Sequence, residues 1–562
     1  MATAPMPWLK AYPHGVDWHA VLPGYSLNQL FDNSAARFAE RPCIDYLGRK
    51  YRYREVADLV RRAAKGLRGM GVVKGTRVGL FLPNTPYSII LYYAILRAGG
   101  VVVNFNPLYA EAEVRRLVED SGAEIMVTLD HARLYPAVAK MLGSGHLHHI
   151  VVCSGADVLP FPKNWLYAFL RRREIASYPD DEAHVGFAAL IANDGVMDEA
   201  VIDPGRDVAV LQYSGGTTGI PKGAMLTHAN LVANTTQCIL WMTELHPGEE
   251  KVLAILPFFH VFAMTCCMNQ GLAMGAELIV LPRFEMGLLL RTIERTRPTI
   301  FHAVPTVYTA INMRPGVSRH DLSSINYCVS GGAPLPLDVR LRFEKLTGCH
   351  LVEGYGMSEC SPVATCGSLD GRSKPGSVGL PLPGTSVEIV SPDDPGRVLG
   401  PGEKGEVCIR GPQVMAGYWG KPEETATALR DGRLHSGDMG YMDEDGWLFL
   451  VDRIKDMILC SGYNVYPRIV EEAIHLHPFV AECIVIGIPD AYRGQSVKAF
   501  VTLLPGKKLS DRDLLNFLED KLSHIEMPKE IEFRDNLPRT TIGKLSKKTL
   551  IEEDQARRAA VH

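Results

Sequence analysis

The chain has 562 residues, 46% of them hydrophobic and 22% charged, with 59 Lys and Arg against 63 Asp and Glu. That length implies about three or four folding units in a soluble globular protein, and a net charge of −4 lacks the basic surplus of a nucleic-acid binder. Twelve cysteines with no C-x-x-C pair support neither a zinc site nor a disulfide frame, and free thiols in a reducing compartment fit best.

The N-terminal stretch "MATAPMPWLKAYPHG" lacks the basic-then-apolar layout of a signal peptide. The apolar run at 89–96 stops at Arg97, far short of the roughly 20 residues a membrane span needs. A cytoplasmic protein is expected. Ser26 caps a helix through Leu30, Phe31, Ala35 and Phe38, and "EVADLVRRAAKGLRGMG" is an amphipathic helix stopped by glycines. "RVGLFLPN" reads as a buried strand, "SIILYYAILRAGG" as a helix and "VVVNFNP" as the next strand, the βαβ pattern of helix-covered, mostly parallel sheets. "PKNWLYAFLRRRE" (162–174) sets Trp165, Leu166, Phe169 and Leu170 at helical spacing beside Arg171, Arg172 and Arg173. It predicts a surface helix packed on its domain, with an interfacial membrane anchor as the alternative.

An apolar strand then runs into "LQYSGGTTGIPKGAMLTH" (211–228), a glycine- and hydroxyl-rich loop with one lysine, suited to cradling phosphate. It is not the Walker loop, which needs Gly-Lys-Ser/Thr, because Lys222 lies between Pro221 and Gly223. After about residue 370, Gly- and Pro-rich sequence with short alternating runs suggests hairpins or a small barrel. A compact α+β module follows Asp452, with a helix opened by Pro467, strands in "ECIVIGI" and "KAFVTLL", and a helix capped by Ser510 with Asp513 three residues on.

"YSGGTTGIPKG" (213–223), "EGYGMSE" (353–359), "HSGDMGYMDEDG" (435–446), "DRIKDMI" (452–458) and "PRTTIGKLSKK" (538–548) stand in the order and spacing of the adenylate-forming superfamily, which holds acyl-CoA synthetases, firefly luciferase and peptide-synthetase adenylation domains. The resemblance covers essentially the whole chain. It implies an α/β fold, with a large N-terminal domain over 1–454 made of two helix-covered, mostly parallel sheets plus a small distorted β-barrel subdomain at about 371–450. A small mobile α+β C-terminal domain over 455–562 would follow. The implied reaction joins a carboxylate to AMP with loss of pyrophosphate, after which a thiol displaces AMP. The protein's part is positioning and charge neutralisation rather than covalent attack.

The resemblance implies the following site. Ser214, Gly215, Gly216, Thr217, Thr218 and Gly219, with the Lys222 cation, would wrap the β- and γ-phosphates of ATP. Tyr355 and Gly356 would lie at the adenine, together with Gly332, Ala333 and Pro334 of "SGGAPL" (330–335). Ser358, where many members have threonine, would meet the α-phosphate. Glu359 would hold Mg2+, since that ion is usually bound through one carboxylate plus nucleotide oxygens. Asp438 and Arg453 would take the ribose. Lys544 would bridge the acyl carboxylate and the α-phosphate, and His260 in "LPFFHVFAM" would stand near the acyl carbonyl, with a plain core histidine as its alternative. Lys455 matches the hinge about which members rotate the small domain between half-reactions. Ser461, Gly462 and Tyr463 would then line the path of the coenzyme A arm.

Peptide-synthetase domains usually carry an aspartate in the aromatic motif, and "FFHVFAM" has none. Luciferase-like oxidation would need an oxygen-reactive substrate. "VVVNFNPLYAEAEV", "GPQVMAGYWGKPEETA", "KDMILCSGYNVYP" and "EFRDNLPRTTIGKL" look most like bacterial fatty-acyl-CoA synthetases, so an AMP-forming ligase of medium- to long-chain fatty acids is expected. Medium-chain dicarboxylic acids and aryl acids are the alternatives, and Ala303, where relatives often have glycine, bears on the pocket. A non-catalytic acyl or nucleotide binder is the alternative of another class. No nucleic-acid partner is expected. Contact with the inner face of the membrane and a homodimer stay open.

Overall fold

The computed structural model describes residues 6–214, 221–461, 463–490, 492–539 and 545–559. The chain forms two compact units, one of Met1–Ser386 with Ile409–Leu434, the other of Val387–Cys408 with His435–His562.

Among the described residues, the first unit holds a seven-stranded sheet in the order His184–Gly186, His149–Cys153, Ile125–Leu129, Arg77–Phe81, Val101–Asn104, Val208–Ser214, Lys222–Thr227. Every neighbouring pair is parallel except the last, an antiparallel hairpin. The parallel strands need crossovers, and helices such as Pro86–Ala98 and Glu111–Ser121 supply them. Pro86–Ala98 is buried along its whole length and stops at Gly99, whose φ of +91° suits glycine.

A second sheet line runs Lys251–Ala254, Glu277–Val280, Pro42–Tyr46, Arg49–Arg52. The extended segment at 300–303 bridges it to another, Tyr327–Gly331, His350–Gly356, Val363–Cys366, Leu380–Pro381. Leu253, Ile279, Phe301, Ala303, Tyr308 and Phe343 pack as one apolar core here.

In the second unit, Asp438–Met442 pairs antiparallel with Leu448–Arg453. Farther on, Val480–Asp490 and Gly494–Leu503 form a long antiparallel pair, and Glu530–Phe533 runs parallel beside the latter. One face of this sheet packs Val470, Ile474, Leu514 and Leu518 from the helices Pro467–His475 and Asp511–Leu518. The other face packs Leu550 of Lys547–Ala559 on Ile484, Ile486 and Phe500. Alternation along the strands requires such a two-faced core.

The expected caps at Ser26 and Ser510 form, each side chain accepting from the backbone N–H three residues on. The helix expected over 162–174 spans Lys163–Leu170, with a short 3-10 turn at Arg172–Glu174. Its apolar side chains point outward instead of packing, with Trp165 68% exposed, Phe169 68% and Leu170 69%. No described helix is long and apolar enough to cross a membrane. All twelve cysteines are free and buried.

Candidate active site

In the first unit, the phosphate-loop candidate closes the hairpin of Val208–Ser214 and Lys222–Thr227, where Ser214 pairs with Lys222 and Tyr213 with Gly223. Gly215, Gly216, Thr217, Thr218 and Gly219 lie outside the described residues, as does the Ser214 side chain. The hairpin is anchored from behind, because the buried Tyr213 hydroxyl donates to Asp120 at 2.6 Å. Burial, then the Asp120 carboxylate, push the Tyr213 hydroxyl far above its usual range. A Cβ at Gly223 would sit 3.1 Å from the Tyr213 ring, so a side chain there would press on this anchor.

The segment at 415–419 runs along the outer edge of the hairpin. Met225 N–H donates to Gly417 O, Ala416 N–H to Met225 O and Trp419 N–H to Gly223 O. That edge aims Tyr418. Lys222 Nζ lies 5.4 Å from the centre of the Tyr418 ring, and the Tyr418 hydroxyl donates to Glu359 Oε1 at 2.8 Å. Burial first, and the Glu359 charge next, hold the Tyr418 hydroxyl protonated well beyond neutral pH. The Met415 N–H donates to Glu359 O at 2.8 Å. One aromatic residue thus ties the expected phosphate lysine to the expected metal carboxylate. A carboxylate held by a neutral hydroxyl suits a hard cation whose other ligands are nucleotide and water oxygens.

Ser358 and Glu359 stand on a 3-10 turn, Ser358–Cys360, just after the strand His350–Gly356 that carries Tyr355. Gly356 is dictated by sterics, since a Cβ there would run into the Pro362 carbonyl. The Ser361 carbonyl accepts from Thr265 Oγ at 2.6 Å, and its hydroxyl donates to Gln413 O. "SGGAPL" reaches the same strand, for the Leu335 N–H donates to Glu353 at 3.0 Å, and Gly332 turns with φ +83°. The loop of Gly332, Ala333 and Pro334 is thus pinned at both ends to the strand that carries Tyr355, through Gly331 paired with Gly354 and Leu335 held by Glu353.

His260 accepts from the Phe262 N–H through Nδ1 at 3.3 Å and caps the turn Val261–Ala263. It is half-buried, not a core histidine. Its loop is held by buried amides. Asn104 donates to Gln212 Oε1, and Gln212 donates to Phe259 O at 3.0 Å. Asn84 brackets the loop by donating to Leu256 O and accepting from the Phe258 N–H, both at 2.8 Å. This places the aromatic motif beside the strand that ends at Ser214.

In the second unit, Asp438 faces Arg453 across the ladder, with Arg453 Nε 3.2 Å from Asp438 Oδ1. Asp438 is 7% exposed. The preceding backbone is fixed by Glu406, which accepts from the Gly437 N–H at 3.1 Å and meets His435 Nδ1 at 2.7 Å. Cys408 Sγ lies 3.4 Å from the same ring nitrogen, making a hydrogen-bonded trio of Glu406, Cys408 and His435 behind the aspartate. Lys455 sits on the 3-10 turn Ile454–Asp456, and burial lowers its ammonium pKa. Ser461, with φ +53°, and the exposed Tyr463 flank the expected coenzyme A passage. Gly462 and Lys544 lie outside the described residues. Near Lys544 in sequence, Lys547 is paired with Glu471 at 3.2 Å.

Reading the sequence alone missed Tyr418, Gln212, Glu406 and His435. Tyr418 and Gln212 lay inside quoted stretches and His435 opens another, but neither spacing nor residue type marked them.

The model of the AMP-binding enzyme family matches residues 31–419, and that of the AMP-binding enzyme C-terminal domain matches 469–544. A long-chain-fatty-acid–CoA ligase of Bacillus subtilis is 44% identical over 551 residues, 98% of each chain. The ligase of that name from Escherichia coli O157:H7 is 36% identical over 556 residues, 97% of this chain and 98% of its own. The crystal structure of ATP-bound MatB from Rhodopseudomonas palustris superposes with a TM-score of 0.82 at 29% identity, covering 94% of this chain and 99% of that one. With the motifs, the fold and the full-length likeness in agreement, the chain belongs to the AMP-binding enzyme family, the adenylate-forming enzymes.

Proposed function

We propose that this protein is an ATP-dependent fatty acid–CoA ligase, which forms an acyl-adenylate with release of pyrophosphate and then transfers the acyl group to coenzyme A with release of AMP. The observation that carries the reading is the Lys222–Tyr418–Glu359 chain at the mouth of the glycine-rich hairpin. It gathers a cation and a carboxylate where a triphosphate needs charge neutralised and a metal held.

Each group has a share. Lys222 offsets phosphate charge, and the Ser214–Gly219 loop supplies hydroxyls and backbone amides. Tyr355 with Gly332–Pro334 takes the adenine, and Asp438 with Arg453 the ribose. Glu359 would hold Mg2+, which, when bound, neutralises charge on the phosphates. His260 stands by the acyl carbonyl, and Ser358 by the α-phosphate. Lys544 bridges carboxylate and phosphate during adenylation, and the module from Lys455 onward turns to bring Ser461–Tyr463 to the coenzyme A arm.

The deciding experiment is AMP release with coenzyme A, alongside acid-dependent ATP–pyrophosphate exchange, over saturated, dicarboxylic and aryl acids. Exchange with a fatty acid supports the ligase. ATP binding without exchange for any acid would leave a non-catalytic binder, and release of ADP would make it another kind of nucleotide hydrolase.

The helix Lys163–Leu170 adds a place of work. Trp165 and Phe169 stack 6.2 Å apart on its exposed face, next to Arg171, Arg172 and Arg173. Aromatic side chains with adjoining cations suit an anionic lipid surface, from which a water-insoluble acid is drawn.

A further inference from the structure

His302 lies on the extended segment that joins the two lines of the second sheet, with Ile300 bridged to Tyr327 and Ala303 to Ser330. Successive side chains on such a segment alternate between faces. Phe301 and Ala303 enter the helix-covered core with Cys328. His302 goes to the opposite face and stacks on Phe262, ring centres 6.3 Å apart at 27°. An edge of the same Phe262 ring meets Gly331, where a Cβ would stand 3.0 Å from it. Phe262 belongs to the aromatic turn capped by His260, and Gly331 opens the loop that continues through Gly332, Ala333 and Pro334. His302 is therefore one ring away from both stretches assigned to the acyl and adenine sides.

Its chemistry is out of keeping with that setting. The side chain is 1% exposed, and neither Nδ1 nor Nε2 has a hydrogen-bond partner among the described residues. Burial lowers its pKa to about 4. The ring is a neutral imidazole, and its one donor and one acceptor find no partner among the described residues. A buried donor or acceptor left unmade is costly, and a leucine or phenylalanine would fill the place without that cost. The aliphatic chain of a plain fatty acid offers neither nitrogen anything.

We propose that His302 is a specificity-determining residue of the acyl site, hydrogen-bonding an oxygen function, a hydroxyl or a carboxyl group, carried by the acyl chain away from the reacting carboxylate. The preferred acid would then be an oxygen-bearing fatty acid, because a site built to hydrogen-bond a substrate group strongly rejects the analogue lacking it. This rests on the ligase reading above and names its substrate class.

The test is kcat/KM for AMP release with three series matched in chain length: unsubstituted, ω-hydroxy and α,ω-dicarboxylic acids. In the wild type, at least one oxygenated series should exceed the unsubstituted acid by about tenfold or more at one length, and the two oxygenated arms tell hydroxyl from carboxyl. His302→Leu should cut that ratio about tenfold, and His302→Asn, which keeps a donor and an acceptor, should restore part of it. A ratio near unity at every length, or one that His302→Leu leaves unchanged, overturns the inference while the ligase stands. If the leucine variant does not fold, the wild-type ratios decide alone. No acid-dependent AMP release in any series would remove the ligase reading and this inference with it.

Discussion

Tyr418 gives the sharpest residue-level expectation. Tyr418→Phe keeps the ring beneath Lys222 and deletes the hydroxyl that Glu359 accepts. A hydrogen bond to a charged group is worth about 1.5–3 kcal/mol, so ATP–pyrophosphate exchange should slow by roughly 10- to 100-fold, with a raised Mg2+ requirement. Unchanged exchange would show that Glu359 needs no such support. The buried imidazoles predict an acid limit to stability. Burial depresses His228 and His302 to about 4 in the folded state, against about 6.5 when unfolded. The stability from keeping them neutral is full above about pH 6.5 and is lost as pH falls toward 4, because the unfolded chain takes up those protons first. Urea midpoints should therefore decline from pH 7 to 4, and less steeply in His302→Leu. Parallel curves for the two proteins would contradict this for His302.

At the scale of elements, Gly356, the last residue of the strand His350–Gly356, should tolerate no side chain. Gly356→Ala drives a methyl into the Pro362 carbonyl and should lower Tm by several degrees or abolish soluble expression. A stable, active variant would mean that carbonyl can shift. The exposed face of Lys163–Leu170 should sediment the protein with anionic vesicles, and changing Arg171, Arg172 and Arg173 to Glu should release it. No vesicle binding in the wild type, or binding unchanged in the variant, removes this surface from membrane work. Elements whose causes are local were legible in the sequence. Ser26, Ser510, Pro467 and Gly99 signal helix ends because cap and stop chemistry acts within three or four residues. The outward apolar face at 163–170 was not, because periodicity gives a stripe but not what covers it.

Across the whole molecule, the proposed exchange of positions predicts that the half-reactions separate. Lys544→Ala should lose adenylation by roughly 10²-fold or more, the order found on removing one oxyanion donor, yet largely keep thioester formation from pre-made acyl-adenylate. Equal loss in both steps would speak against a turning module. The same scale explains what the sequence hid. Tyr418 and Glu359 are 59 residues apart, and a tyrosine beside glycine in a Gly-rich stretch resembles any loop aromatic until the 415–419 edge seats on the hairpin. Gln212 looks like one more strand position, and His302 like a gap in an apolar run. Their meaning depends on partners, or the lack of them, contributed by distant segments.

One property of the interior has a practical use. Every sulfhydryl is shielded, and for Cys43, Cys153 and Cys483 burial also pushes ionisation well above the ordinary thiol value. Since the thiolate is the attacking species, those three should ignore alkylating reagents and mild oxidants in the native enzyme, and Cys349, whose pKa a hydrogen bond with Cys328 lowers, is guarded by burial instead. The colour released from a chromogenic disulfide would then report, molecule by molecule, how often the fold opens.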